Sequence, residues 1–269
     1  MTAWAWNARA ATVAPNGAEF GAAFAGYAGS PYFAATDAVA WAGNLGVSVQ
    51  CSLPSARVDH TVYIPAGTLP GGSNDHHLTI LDPVRGRKTD LGGVSVSGSS
   101  YTAVGGVSFP YGAAQEPAPG NANAARFPLL AGLVTPQEIA AGVISHSLVC
   151  SANNLGPAPC PYPANTSVGY KDTGHCTLGT WLSLPATAQL GEGANTLESL
   201  LFAALQSYGM FIRDTGSTLS IRGLDTVNQG GIADWHAQGI LLNAAYANSI
   251  ALTSAIPWAS LQVLEPPTP

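Results

Sequence analysis

Apolar residues recur at helical spacing in only a few stretches of this chain. Phe20, Ala23, Phe24 and Tyr27 form one stripe over residues 17–27, with Asn16 placed to cap its start. Leu197, Leu200, Leu201, Ala204 and Leu205 form a second over residues 196–207, with Thr196 as N-cap and Glu198 in the first turn. Thr135-Pro136-Gln137-Glu138 combines a cap, a proline at the first helical position and an acid at the third, which predicts a short helix ending near Gly142. Elsewhere short apolar–polar alternations sit between turn residues. They predict ten strands, over residues 61–64, 76–81, 88–96, 101–109, 143–150, 180–184, 209–213, 218–223, 238–243 and 249–253.

Strands without alternating long helices predict a mainly β fold, a jelly-roll-like two-sheet β-sandwich with two or three short helices, rather than a parallel α/β sheet or a βα-barrel. No repeat and no long polar linker divides the chain, so residues 1–269 are expected to form one domain. The Gly/Pro/Asn run over 111–125 reads as a long surface loop, and the Pro-rich residues 265–269 as a frayed tail.

Composition narrows the partners. Nine Lys and Arg against fifteen Asp and Glu in 269 residues leave a net charge of −6 and only 9% charged residues, against roughly 25% in an ordinary soluble domain. No basic cluster serves a phosphate backbone, so nucleic-acid binding is not expected. No apolar run reaches the roughly 18–20 residues of a membrane helix, so neither is a membrane partner. Met1 to Asn7 lack a basic start followed by an apolar core, so a signal peptide is not expected there.

Cys51, Cys150, Cys160 and Cys176 fit no zinc spacing and are expected to form disulfides. A bridge between Cys150 and Cys160 would close an intervening loop, while pairing of either with Cys176 stays open. Such bridges imply an extracellular or virion-surface location.

The absence of GxSxG, SxxK, dinucleotide-loop and Walker patterns excludes the common nucleophile and nucleotide classes. Titratable groups concentrate in Gly71-Gly72-Ser73-Asn74-Asp75-His76-His77-Leu78-Thr79-Ile80-Leu81-Asp82-Pro83. By strand alternation Leu78 and Ile80 face the core, and His77 and Thr79 face the opposite, more polar side, where an imidazole can act as acid, base or ligand. Asp82 also suits the first position of a type I turn before Pro83. Glu138 suits a capping box, and His146, alternating with Ile144 and Leu148, suits either a buried or a working histidine. Arg213 and Asp214 end a strand before a glycine turn. His60 beside Asp59, and His175, are loop residues without an assigned partner.

The order Ala14-Pro15-Asn16, Tyr63-Ile64-Pro65, Asp75-x-His77-(x)4-Asp82, Pro128-Leu129-Leu130-Ala131-Gly132-Leu133-Val134 with Glu138-Ile139 and Gly142-x-Ile144-x-His146, then Gln206-x-Tyr208-Gly209-Met210 and Asp214-x-Gly216-Ser217, resembles a family of largely uncharacterised secreted bacterial and fungal proteins. The resemblance spans about three quarters of the chain. It implies an extracellular β-sandwich and no established reaction.

Two functions are expected from these residues. The first is an extracellular carbohydrate-active enzyme, a polysaccharide hydrolase or lyase, with His77, Glu138, His146 and Asp82 catalytic and Asp75, His76, Tyr208, Arg213 and Asp214 binding substrate. Six Trp and nine Tyr are available to stack on sugar rings. The second is a non-catalytic glycan-binding or structural protein of a secreted or virion assembly. No cofactor is expected, with a divalent metal at His77 and His146 as the weaker idea.

Overall fold

In the computed structural model the described residues are 12–27, 30–43, 46–47, 49–53, 56–58, 61–111, 122–157, 159–166, 176–246 and 248–267. Asp59, His60, His175 and most of the expected loop over 111–125 lie outside them. In chain order the strands are Tyr32–Trp41 (β1), Gly46–Val47 (β2), Gln50–Cys51 (β3), Val62–Tyr63 (β4), His77–Asp82 (β5), Arg87–Gly92 (β6), Ser95–Ser97 (β7) and Ser100–Ala103 (β8). They continue with Gly105–Pro110 (β9), Leu148–Ala152 (β10), Trp181–Ser183 (β11), Met210–Thr215 (β12), Ser220–Asp225 (β13), Ser249–Ala251 (β14) and Gln262–Val263 (β15). The α-helices are Gly17–Tyr27 (α1), Pro136–Ala141 (α2), Thr196–Ser207 (α3) and Ala233–Ala237 (α4).

The chain is mainly β, with 31% strand against 17% helix, consistent with a two-sheet β-sandwich. The large sheet runs β15-β11-β12-β10-β13-β1-β5-β6-β9, with β14 also on β1. Its pairing is mixed: β1 is parallel to both β13 and β5, and β10 is parallel to β12. Parallel neighbours require long crossovers. The one from β1 to β5 carries β2, β3 and β4, and the one from β10 to β12 carries α3. The small sheet β3-β8-β7 and the ribbon β2-β4 add Tyr101, Ala103, Val62 and Ile64 to a core cluster with Ala38, Leu78, Ile80 and Leu91. A larger cluster gathers Phe33, Phe127, Trp181, Phe211, Trp235 and the buried side of α3.

The α1 range matches its stripe. In α2 Thr135 and Glu138 form the expected capping box, and Gly142 ends the helix at φ 70°. The cap of α3 is Asn195 rather than Thr196: its side chain accepts from the Glu198 amide while Glu198 reaches back to the Asn195 amide. Residues 238–243 form no strand; they follow α4 and bury Ile240 and Leu242 as irregular chain. The expected fray is absent at Glu265, whose amide donates to Thr12 O. None of the four cysteines is in a disulfide, which corrects the expected bridges: Cys150 and Cys176 are core thiols, and burial pushes both up to about 12. Among the described residues no helix is long and apolar enough to cross a membrane.

Candidate functional site

Two irregularities in the sheet create a buried polar layer. On β1, Ala35 stands opposite Gly223 and Asp37 opposite Leu224, so Thr36 is an inserted residue that re-aims Asp37. On β12, Ile212 pairs with Cys150 and Asp214 with Ser151, which leaves Arg213 as the extra residue. Beyond the first bulge Asp37 faces His77 of β5, and Thr79 faces Asp90 of β6. Leu78 and Ile80 enter the core cluster on the other side, as alternation predicts.

The two carboxylates at the centre of this layer, Asp37 and Asp90, each have a charged partner. Arg213 Nη2 lies 2.9 Å from both carboxylate oxygens of Asp37, and Nη1 donates to Leu129 O at 2.9 Å. His77 Nδ1 sits 2.7 Å from Asp37 Oδ1, and Nε2 sits 3.1 Å from Ala122 O. Both ring nitrogens are thus engaged, one by a carboxylate and one by a backbone carbonyl, which fixes the plane of the ring. Asp90 accepts from Thr79 Oγ1 and the Leu129 amide, with Lys88 Nζ at 3.4 Å. Burial alone would raise the Asp37 carboxyl, but Arg213 and His77 outweigh it and hold the group far below the ordinary carboxylate range.

At the rim of this layer Asp75, His77 and Asp214 converge. One ligand-type atom from each lies within 4.8 Å of the others, with His77 and Asp214 buried and Asp75 exposed. They open into a cleft of about 430 Å³ whose walls include Asn74, Gly92, Ala122 and Asn123. Glycine is required at position 92, because a Cβ there would run into the Ala122 carbonyl that meets His77. Just before β5, His76 adopts φ 44°, a left-handed conformation in which its amide donates to Ser73 O. The Gly93 and Val94 amides donate to the Asp75 and His76 carbonyls and hold that turn. Asp214 Oδ1 accepts from the Thr215 amide at 2.9 Å and from the Ala124 amide at 3.4 Å. Burial pushes the Asp214 carboxyl up, against the pull of His77, Arg213 and Arg222.

The expected site residues therefore separate. Asp75, His77 and Asp214 meet, while Arg213 is enclosed and holds Asp37 instead of facing substrate. Glu138 and His146 pair with each other, Oε1 to Nε2 at 2.8 Å, while Glu138 caps α2 and His146 Nδ1 lies 2.9 Å from Ser147 O. Among the described residues His146 thus shares no metal-ligating group with His77, and it precedes β10 instead of alternating within it. Asp82 takes the turn role, accepting from the Arg85 amide and guanidinium. Tyr208 ends α3, and its carbonyl receives Ser147 Oγ and Trp181 Nε1. His76 Nδ1 is 3.3 Å from Gly71 O.

Asp37 was not foreseen. Its signal was a lone acid inside the apolar run Phe33-Ala34-Ala35-Thr36-Asp37-Ala38-Val39-Ala40, since an acid there must be paired to be buried. No family model, curated protein or solved structure matches the chain.

Proposed function

We propose that the chain is a glycoside hydrolase acting on extracellular glycan, with Asp214 as general acid and Asp75 as the opposing carboxylate. The observation that carries the reading is the meeting of these two carboxylates beside His77 at an open cleft. Their environments differ in the sense that hydrolysis needs: Asp214 is buried and its carboxyl is pushed up, and Asp75 is exposed. A spacing within 4.8 Å suits the retaining mechanism, whose carboxyl groups stand about 5–5.5 Å apart, better than the inverting one, which leaves room for water. Asp37 and Ala122 fix the His77 ring between them, so it acts as a positioning residue and a hydrogen-bonding wall. Elimination is less well supported, since His77, which would have to serve as its base, has both ring nitrogens engaged, by Asp37 and by the Ala122 carbonyl.

The test is a reducing-end assay on a panel of polysaccharides with wild type, Asp214→Asn and Asp75→Asn, followed by proton NMR of the first product anomer. Loss of activity by about 10²-fold or more in both variants, with retained configuration, supports the reading. Undiminished activity in either variant, or an inert wild type across the panel, rejects it. A divalent cation on the same three groups is a second reading, favoured by their spacing. It would have to displace or share the Ala122 contact at His77 Nε2, and elemental analysis of protein purified without chelator decides it.

A further inference from the structure

A second cavity of about 660 Å³ adjoins the cleft, and Asn74 and Asp75 belong to the walls of both. Tyr32, Thr36, Ser73 and Arg222 also line it. Arg222 lies on β13 opposite Ala34 of β1 and is 5% exposed, yet its guanidinium makes no hydrogen bond among the described residues. Its Nε is buried without a partner, and its one ion pair is a loose 3.7 Å from Nη2 to Asp75 Oδ2, beyond hydrogen-bonding reach. Ser73, 6% exposed on the same cavity, also has a buried Oγ without a partner.

Arg213, in the same polar layer, also has a buried Nε without a partner. Its terminal nitrogens show the contrast: they have both Asp37 oxygens and Leu129 O within 2.9 Å, where those of Arg222 make no hydrogen bond among the described residues. A buried guanidinium with unspent donors is costly unless something outside the chain completes it. Its planar fork matches two oxygens of one anionic group, and a serine hydroxyl nearby adds a third donor. Asp75 supplies countercharge across the gap but no hydrogen bond, so an arriving anion has donors to gain.

We propose that this cavity is a subsite for an acidic sugar residue, whose carboxylate or sulfate is received by Arg222 and Ser73. The inference rests on the hydrolase reading for the placement of the scissile bond in the adjoining cleft, and it names the substrate class as an acidic glycan. A sugar bound here lies beside Asp75, one of the two carboxylates assigned to bond cleavage.

The test is calorimetric titration of glucuronate, glucose 6-sulfate and glucose into wild type, Arg222→Gln, Ser73→Ala and Asp214→Asn. One of the two anionic sugars should bind wild type at least about tenfold more tightly than glucose, as a charge-assisted hydrogen-bond pair implies, and which one does so identifies the substituent. Arg222→Gln should erase that preference, Ser73→Ala should weaken it with an unchanged thermal midpoint, and Asp214→Asn should keep it while losing glycan cleavage. Equal affinity for all three sugars overturns the inference, and so does a preference that survives in folded Arg222→Gln. If Arg222→Gln does not fold, an undiminished preference in Ser73→Ala overturns it instead. An Arg222-dependent preference in a protein that cleaves no glycan rejects the hydrolase and leaves the subsite standing.

Discussion

Replacing Asp37 with asparagine removes the charge around which the polar layer is built. The carboxylate has Thr36 Oγ1 and His77 Nδ1 at 2.7 Å and Arg213 Nη2 at 2.9 Å from both oxygens. An amide keeps one acceptor and turns an NH₂ group toward these donors, so at least one contact becomes donor against donor. Arg213 is fully enclosed, and its other hydrogen bond goes to a neutral carbonyl, so it is left as an uncompensated buried cation. Breaking one side of such a pair costs about 3–5 kcal/mol. With a urea slope of roughly 3 kcal/mol/M for a chain of this size, the unfolding midpoint should fall by about 1–1.7 M. Tryptophan fluorescence and far-ultraviolet circular dichroism should report coincident transitions, which checks the two-state assumption. The double variant Asp37→Asn/Arg213→Met should recover part of the loss, since it removes the stranded cation as well. A midpoint within about 0.3 M of wild type in the single variant, which at the same slope is under about 1 kcal/mol, would refute the reasoning. Strictly additive losses in the double variant would refute it too.

The same carboxylate makes the fold acid-sensitive. Because Asp37 titrates far below its unfolded value near 4, its contribution is complete above about pH 4 and drains away as pH falls further; urea midpoints between pH 7 and 3 should drop, and Asp37→Asn should flatten that limb. The His146 imidazole is opposed by burial but raised by Glu138 and the Ser147 carbonyl, so its NMR titration midpoint should lie above that of free imidazole. Its stabilisation is full below about pH 6.5 and lost as pH rises through the shifted value, and Glu138→Gln should return the midpoint toward the ordinary one. Alkylation without reductant should leave Cys150 and Cys176 unmodified in the native protein, and four thiols should be labelled after unfolding, because none is in a disulfide; fewer than four would contradict this.

Much of the scaffold was readable from local rules. Capping chemistry placed α2, and the apolar stripe placed α3, because both signals lie within a few residues of each other. Alternation correctly set His77 and Thr79 on the face opposite Leu78 and Ile80. The central strand β1 was not readable, because four alanines and an aspartate in Tyr32–Trp41 carry little strand propensity. Its identity depends on β13 and β5, which lie far away in sequence. The same non-locality hid the site. Asp75 and His77 were visible as a cluster, but their joining to Asp214 depends on strand order. Glu138 and His146 had equal chemical promise and turned out to serve each other, a contact that no spacing rule distinguishes from catalysis.

The order of strands also bears on how the chain behaves while it is being made. Asp37 and Arg213 are 176 positions apart, so the guanidinium that neutralises the carboxylate emerges from the ribosome late. Until then the alanine-rich β1, which can pair with β5 on one side, lacks β13 on the other and leaves a long edge open, the kind of segment that recruits other nascent chains. A hydrated carboxylate at its middle makes such stacking unfavourable during that interval. The aspartate that later anchors the finished layer thus first serves as a gatekeeper for the unfinished one.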